Sequence, residues 1–203
     1  MRRLICLLLY CFAAVVHADA ANPELLKNIL GELSQHASVR AEFVQTRSNP
    51  ALAQPQTSQG QLLFALGHGM LWQTQTPYQE TLALSGDRSA RIDAQGHLQP
   101  MRGERGVSQI SQMLQSMLAG KPDDVLRQFN VEARGTPMQW TLHFTPQQER
   151  MARVLSRIEL SGDAFLQGIR IQMQDGSSTD IRFNHTRDAG QFSELEKHAL
   201  SLP

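Results

Sequence analysis

Residues 60–77 read GQLLFALGHGMLWQTQTP. Two strand-like runs flank Gly67-His68-Gly69, and the first carries Leu62, Leu63, Phe64, Ala65 and Leu66 in succession. That is more apolar surface than a solvated hairpin needs. Alternation puts Leu62, Phe64 and Leu66 on one face, and Met70, Trp72 and Thr74 on one face of the second run, with Gln73 and Gln75 opposite.

The same pattern extends through most of the chain. Upstream, Val39, Ala41 and Phe43 alternate with Arg40, Glu42 and Val44, and a proline-bearing connection, "SNPALAQPQTSQ", follows. Downstream, "TPYQ", "GD" and "AQG" turn the chain into short strands that hold Leu82 and Leu84. Later strands carry Trp140, Leu142 and Phe144, then Ile158 and Leu160, then Ile169, Ile171 and Met173, then Ile181 and Phe183. The last two join at Asp175-Gly176, a hairpin signal. The alternate positions Gln139, Thr141, Arg170, Gln172 and Arg182 are polar.

Short strands at this spacing leave no room for crossover helices, so the expected fold is mostly β, an antiparallel meander with helical insertions. A sheet of eight or more strands curls. Its apolar face then becomes the concave side of an incomplete barrel or strongly curved sheet, and its other face is wet. Two helices are available to cover the concavity. One spans about 23–35, opened by Asn22-Pro23 with Leu25, Leu26, Ile29, Leu30 and Leu33 at helical spacing. The other spans 108–119, with Ile110, Met113, Leu114, Met117 and Leu118 on one side. Gly120 ends it, and Pro122-Asp123-Asp124 opens a further short helix.

The amino terminus reads as an export signal: Met1-Arg2-Arg3, an apolar run from Leu4 to Val16, then "VHADA". A membrane-spanning helix needs roughly 20 apolar residues, more than this run has. The expected division is a cleaved signal peptide at 1–18, with cleavage possible after 20, and a single domain at 19–203. Cys6 and Cys11 are the only cysteines, so the mature chain is expected to have no thiol and no disulfide. The full chain carries 19 basic and 19 acidic residues. Loss of Arg2 and Arg3 leaves it slightly acidic, which gives no electrostatic reason to bind nucleic acid.

The search for catalytic chemistry finds little. There is no Gly-x-Ser-x-Gly elbow, phosphate-binding glycine loop or His-Glu-x-x-His helix. His36, His68, His97, His143, His185 and His198 are dispersed, and His143 should point outward. No catalytic residue, metal or cofactor is expected, and a lipid hydrolase is the less favoured alternative. The choice left open is between a solid core and an open cavity. Met70, Met113, Met117, Met138 and Met173 can reshape around a guest, but they also serve as core filler.

Several of these segments also resemble the LolA-like superfamily of outer-membrane lipoprotein carriers. The resemblance is carried by Phe43-Val44-Gln45, the Gly60-opened strand, Trp72 ahead of Pro77, and Gly86-Asp87, with "LAGKPDDVLRQFNVE" and "IRIQMQDGSSTDIRFN" following. It implies an incomplete β-barrel closed by helices around a cavity for acyl chains. The implied protein is a monomeric periplasmic carrier that takes a lipoprotein or another lipid from an inner-membrane exporter to an outer-membrane acceptor. Phe43, Leu62, Phe64, Leu66, Met70, Trp72, Leu82, Leu84, Trp140, Leu142, Phe144, Ile169, Ile171 and Met173 would line the cavity. Ile110, Met113, Leu114, Met117 and Leu118 would form its lid. A non-catalytic periplasmic sensor or scaffold with a solid core is the alternative. Where the family has Arg-Pro near the end of the Gly-opened strand, this chain has Leu66-Gly67, and its carboxyl end, "GQFSELEKHALSLP", is shorter and partly helical in pattern. Both departures suggest a divergent paralogue.

Overall fold

A computed structural model describes residues 22–85, 88–101, 105–118 and 122–201, and gives only the backbone for 105–110 and 118. The expected signal peptide and the Gly86-Asp87 and Gly120 positions lie outside the described residues, as do the side chains of Ile110 and Leu118.

The described strands form one antiparallel sheet. In chain order they are β1 (Ser38–Ser48), β2 (Gln56–Ala65), β3 (Gly69–Thr76), β4 (Glu80–Ser85), β5 (Arg88–Ile92), β6 (Leu98–Pro100), β7 (Phe129–Thr136), β8 (Gln139–Pro146), β9 (Leu155–Gly162), β10 (Leu166–Met173) and β11 (Ser178–Asp188). Their spatial order is β6-β5-β4-β3-β2-β1-β11-β10-β9-β8-β7. Every neighbour but one is also a sequence neighbour, as a meander requires. The exception, β1 against β11, joins the two halves through a ladder that runs from Val39–Asp188 to Ser48–Ser178. Edges remain at β6 and β7, so the barrel is incomplete.

The register explains the apolar face. Phe43 lies opposite Gly60 and Phe183, Leu62 opposite Trp72, Phe64 opposite Met70, and Leu82 opposite Trp72. In the other half Ile169 faces Ile181 and Leu160, and Leu160 faces Leu142. The apolar row therefore crosses the whole sheet on its concave side.

Two helices rest on that side. In α1 (Pro23–Leu33), Asn22 Oδ1 accepts the Leu25 N–H at 3.0 Å, and Leu25, Ile29 and Leu30 are buried. In α2 (Arg105–Leu118), Met113, Leu114 and Met117 are buried. The short α3 (Asp123–Leu126) follows where Pro122-Asp123-Asp124 predicts it. A further turn, α4 (Glu149–Ala152), lies between β8 and β9; no periodicity announces so short an element.

The convex face differs from the expectation of a wet surface. Leu63, Ala65, Leu71 and Ala83 point to that side and are buried with Ala189, Ala199 and Leu200 in a second apolar cluster. The cover is α5 (Glu194–Leu200), so α1 and α2 are not the only helices on the sheet. Ser193 caps α5: its hydroxyl accepts the Glu196 N–H, and the Glu196 carboxylate accepts the Ser193 N–H at 2.7 Å. Arg40, on the convex side of β1, clamps the helix with paired bonds to Glu196 of 2.6 and 2.9 Å, while its Nε donates to the Ala189 carbonyl at 3.0 Å. The apolar run in residues 62–66 is thus explained. Leu62 and Phe64 serve the concavity, and Leu63 and Ala65 serve the α5 interface.

Candidate lipid-binding cavity

Between the helices and the sheet lies a cavity of about 1040 Å³, at the upper end of the usual range for small-molecule pockets. Leu30 and Leu33 of α1 and Ser111, Leu114 and Met117 of α2 line one side. The sheet supplies Val39, Ala41, Leu62, Phe64, Met70, Trp72, Leu82, Leu142, Leu160, Ile169, Ile171, Met173, Ile181 and Phe183. The interior is divided. Across β7–β9, Val131, Ala133, Trp140, Leu142, Phe144 and Ile158 pack with α1, α2 and α3 into a solid core. The hollow lies over β1–β5, β10 and β11, and reaches Leu142 of β8 and Leu160 of β9 at the margin of that core.

The expected liners separate accordingly. Leu62, Phe64, Met70, Trp72, Leu82, Leu142, Ile169, Ile171 and Met173 reach the cavity, as do Leu114 and Met117 of the expected lid. Phe43, Leu84, Trp140, Phe144 and Met113 are buried in the same apolar cluster but do not border the space. Phe43 lies beneath Trp72, ring centroids 3.9 Å apart, and Trp140 is held in the solid half with its indole N–H donating to the Asp163 carbonyl at 2.6 Å. Alternation assigns these residues to the right face without saying where along it the packing closes.

Leu66 is placed differently. Strand β2 ends at Ala65, because Gly67 (φ 78°) and Gly69 (φ 133°) take conformations that side-chain-bearing residues rarely adopt. Leu66 is the first residue of that turn. Its N–H donates to the Ala37 carbonyl, and its half-buried side chain packs on the edge of the main core without bordering the cavity.

Gly60 fixes the Phe43–Trp72 stack. A Cβ there would come within 1.8 Å of the Gln73 carbonyl oxygen and 2.9 Å of Phe43 Cζ. Only the lack of a side chain lets Phe43 lie across the strand and support Trp72 from below.

The cavity rim is polar. Gln45, Arg47, Ser58, Thr74 and Thr179 continue the concave face toward one end, with Pro77 and the exposed Tyr78 beside them. Glu80 and Arg91 pair there at 2.7 Å. At the rim His36 bonds Asp188 through Nδ1 at 2.8 Å and lies tilted against Phe165, ring centroids 4.2 Å apart. His143 points to the convex side and bonds Glu159 at 3.1 Å, as its alternation with Leu142 and Phe144 predicts. Among the described residues no group of three or more His, Cys, Asp or Glu side chains is placed to hold a metal.

The match to known families agrees with this architecture. Residues 34–195 match the family described as the outer membrane lipoprotein carrier protein LolA. The chain belongs to the LolA family. No curated protein sequence matches it. Among solved structures, it is similar to a LolA superfamily protein from Nitrosomonas europaea, at 9% identity over 85% of this chain and 97% of that one, with a TM-score of 0.48. It is also similar to a putative outer membrane lipoprotein-sorting protein domain from Vibrio parahaemolyticus, at 11% identity over 88% and 98% of the two chains, TM-score 0.42. A third is the MucA/MucB complex of Pseudomonas aeruginosa, at 11% identity over 83% and 58%, TM-score 0.46. Family membership and the open cavity together indicate a lipoprotein-binding, carrier-like role.

Proposed function

We propose that this protein is an exported, non-catalytic carrier that shelters the acyl chains of a lipoprotein or lipid while they cross the space between inner and outer membranes. The observation that carries this reading is the cavity itself. About 1040 Å³ stays unfilled by the protein's own side chains although apolar residues surround it on two layers, and a solid-cored scaffold would have no reason to leave it open. Burial of each CH₂ contributes about 0.8 kcal/mol, so a long acyl chain finds ample driving force without any bond being made or broken. Residues 1–18 supply the export signal in this reading, an inner-membrane component loads the domain, and an outer-membrane component unloads it. Ser111, Leu114 and Met117 on α2 face the guest across the cavity from the sheet.

The test is to purify the protein from its native compartment, extract it with organic solvent and analyse the extract by mass spectrometry. The expected result is a recovered acylated molecule. Absence of any lipid, together with failure to take up a fluorescent fatty acid, would overturn the proposal. Complementation of a carrier-depleted strain then separates general lipoprotein traffic from a more specialised cargo.

A further inference from the structure

Beside the polar end of the cavity lies a second, smaller compartment. A cleft of about 210 Å³ is bordered by Arg47, Ser48, Gln56, Ser177, Ser178 and Thr179, with Asn49 and Leu52 beside them. Arg47 and Thr179 border the large cavity as well. The register accounts for the junction. Arg47 lies opposite Gln56 on one side and Thr179 on the other, on the same face as Phe43 and Gln45 but past the end of the apolar row.

The charges at this junction are unbalanced. Elsewhere on the rim Arg91 is matched by Glu80 and His36 by Asp188. Asp93 accepts the N–H groups of Gln95 and His97 and the Gln99 amide. No carboxylate borders the small cleft. Asp175 is engaged by Ser177, and Asp180, on the convex side, by Arg170 at 2.6 Å. Arg47 has no hydrogen-bond or ion-pair partner among the described residues.

We infer that the small cleft receives the anionic head group, a phosphate or carboxylate, of an amphiphile whose chain lies in the large cavity. This rests on the acyl-carrier reading and adds the chemical class of the cargo. A guanidinium offers a planar fork of N–H donors matched to such oxyanions, and the serine and threonine hydroxyls beside it can donate further bonds. Arg47 and Thr179 border both spaces, so an amphiphile seated in the cavity can present its head group to Arg47.

The test measures displacement of a fluorescent fatty-acid probe from the purified full-length mature chain by dodecyl phosphate, by monolauroylglycerol as the uncharged equivalent, and by inorganic phosphate alone. Wild type and Arg47→Gln are compared after circular dichroism confirms that both are folded. The expected result is about tenfold or greater preference for dodecyl phosphate in wild type. Arg47→Gln should reduce the preference to near unity with monolauroylglycerol binding unchanged. Inorganic phosphate should fail to displace the probe, which separates a head-group subsite from a free-phosphate site. Equal affinities in wild type, or a preference that survives Arg47→Gln, overturns the inference while leaving the carrier reading intact. Binding of neither amphiphile overturns both.

Discussion

Two glycine-to-alanine substitutions should move stability in opposite directions. Gly60 does not have a positive φ, so its backbone conformation alone would accept alanine. Sterics decide the sign: the new Cβ would meet the Gln73 carbonyl oxygen at 1.8 Å and Phe43 at 2.9 Å. The carbonyl belongs to the β2–β3 ladder and cannot move without disturbing the register there. Overpacking costs about 1–3 kcal/mol, and loosening the Phe43–Trp72 stack adds about 0.5–1.5 kcal/mol. The sum, about 2–4 kcal/mol, corresponds to a Tm loss of about 5–15 °C for a domain of this size. At Gly31, within α1, nothing lies within 4 Å of the same added atom. There Gly31→Ala should stabilise by about 0.5–1 kcal/mol through helix propensity and a less flexible unfolded chain. Thermal and urea unfolding of the two variants beside wild type read the difference directly. If Gly60→Ala matched or exceeded wild-type stability, the close approach of Phe43 and β3 over Gly60 would be wrong, and with it the placement of Trp72 on the cavity wall.

The remaining predictions concern the cavity wall and the α5 clamp. Leu62→Asp should weaken fatty-acid probe binding about tenfold or more with the fold retained, because a carboxylate on the apolar wall must be desolvated by the guest; unchanged affinity in a fluorescence titration would refute the face assignment. Glu196 is held down at about 2, from an ordinary 4.5, chiefly by its hydrogen bonds to Arg40. A depressed carboxylate stabilises the fold above its unfolded value and loses that effect as pH falls from about 4.5 toward 2. The quarter exposure of Arg40 screens the pair, so about 1–2 kcal/mol is expected, and Glu196→Gln should flatten the acid limb of a urea-midpoint-against-pH curve. Leu200, 1% exposed between α5 and the convex sheet, should cost about 2–5 kcal/mol when changed to Ala; a loss below 1 kcal/mol would mean that α5 is not docked.

How much of this was legible in the sequence can be traced through single residues. Alternation found the concave face, because a strand's side-chain period is invariant and Leu62, Trp72, Ile169 and Ile181 obey it. The Gly60, Trp72 and Phe43 positions carried the family resemblance, and the register shows why they travel together. Leu63, Leu71 and Ala83 marked the second face as apolar too, yet without knowledge of where α5 docks they read as surplus. Leu66 packs against the same cluster as Leu62 and Trp72 without bordering the cavity, because the strand ends one residue earlier, ahead of the positive-φ Gly67. Trp140 and Phe144 share the cavity's face but lie where α1, α2 and α3 press down, and such depth is set by tertiary packing. Arg47 shares the face of Phe43 but lies past the end of the apolar row, and only the register sets it between Gln56 and Thr179.

The most direct test of the carrier account is a chain-length series: dissociation constants of saturated fatty acids of increasing length, measured by probe displacement on the delipidated protein. If the cavity takes the acyl chain, affinity should rise about fourfold for each added CH₂, the equivalent of about 0.8 kcal/mol, and then level off once the space is filled. Affinity that is absent, or independent of chain length, would contradict it.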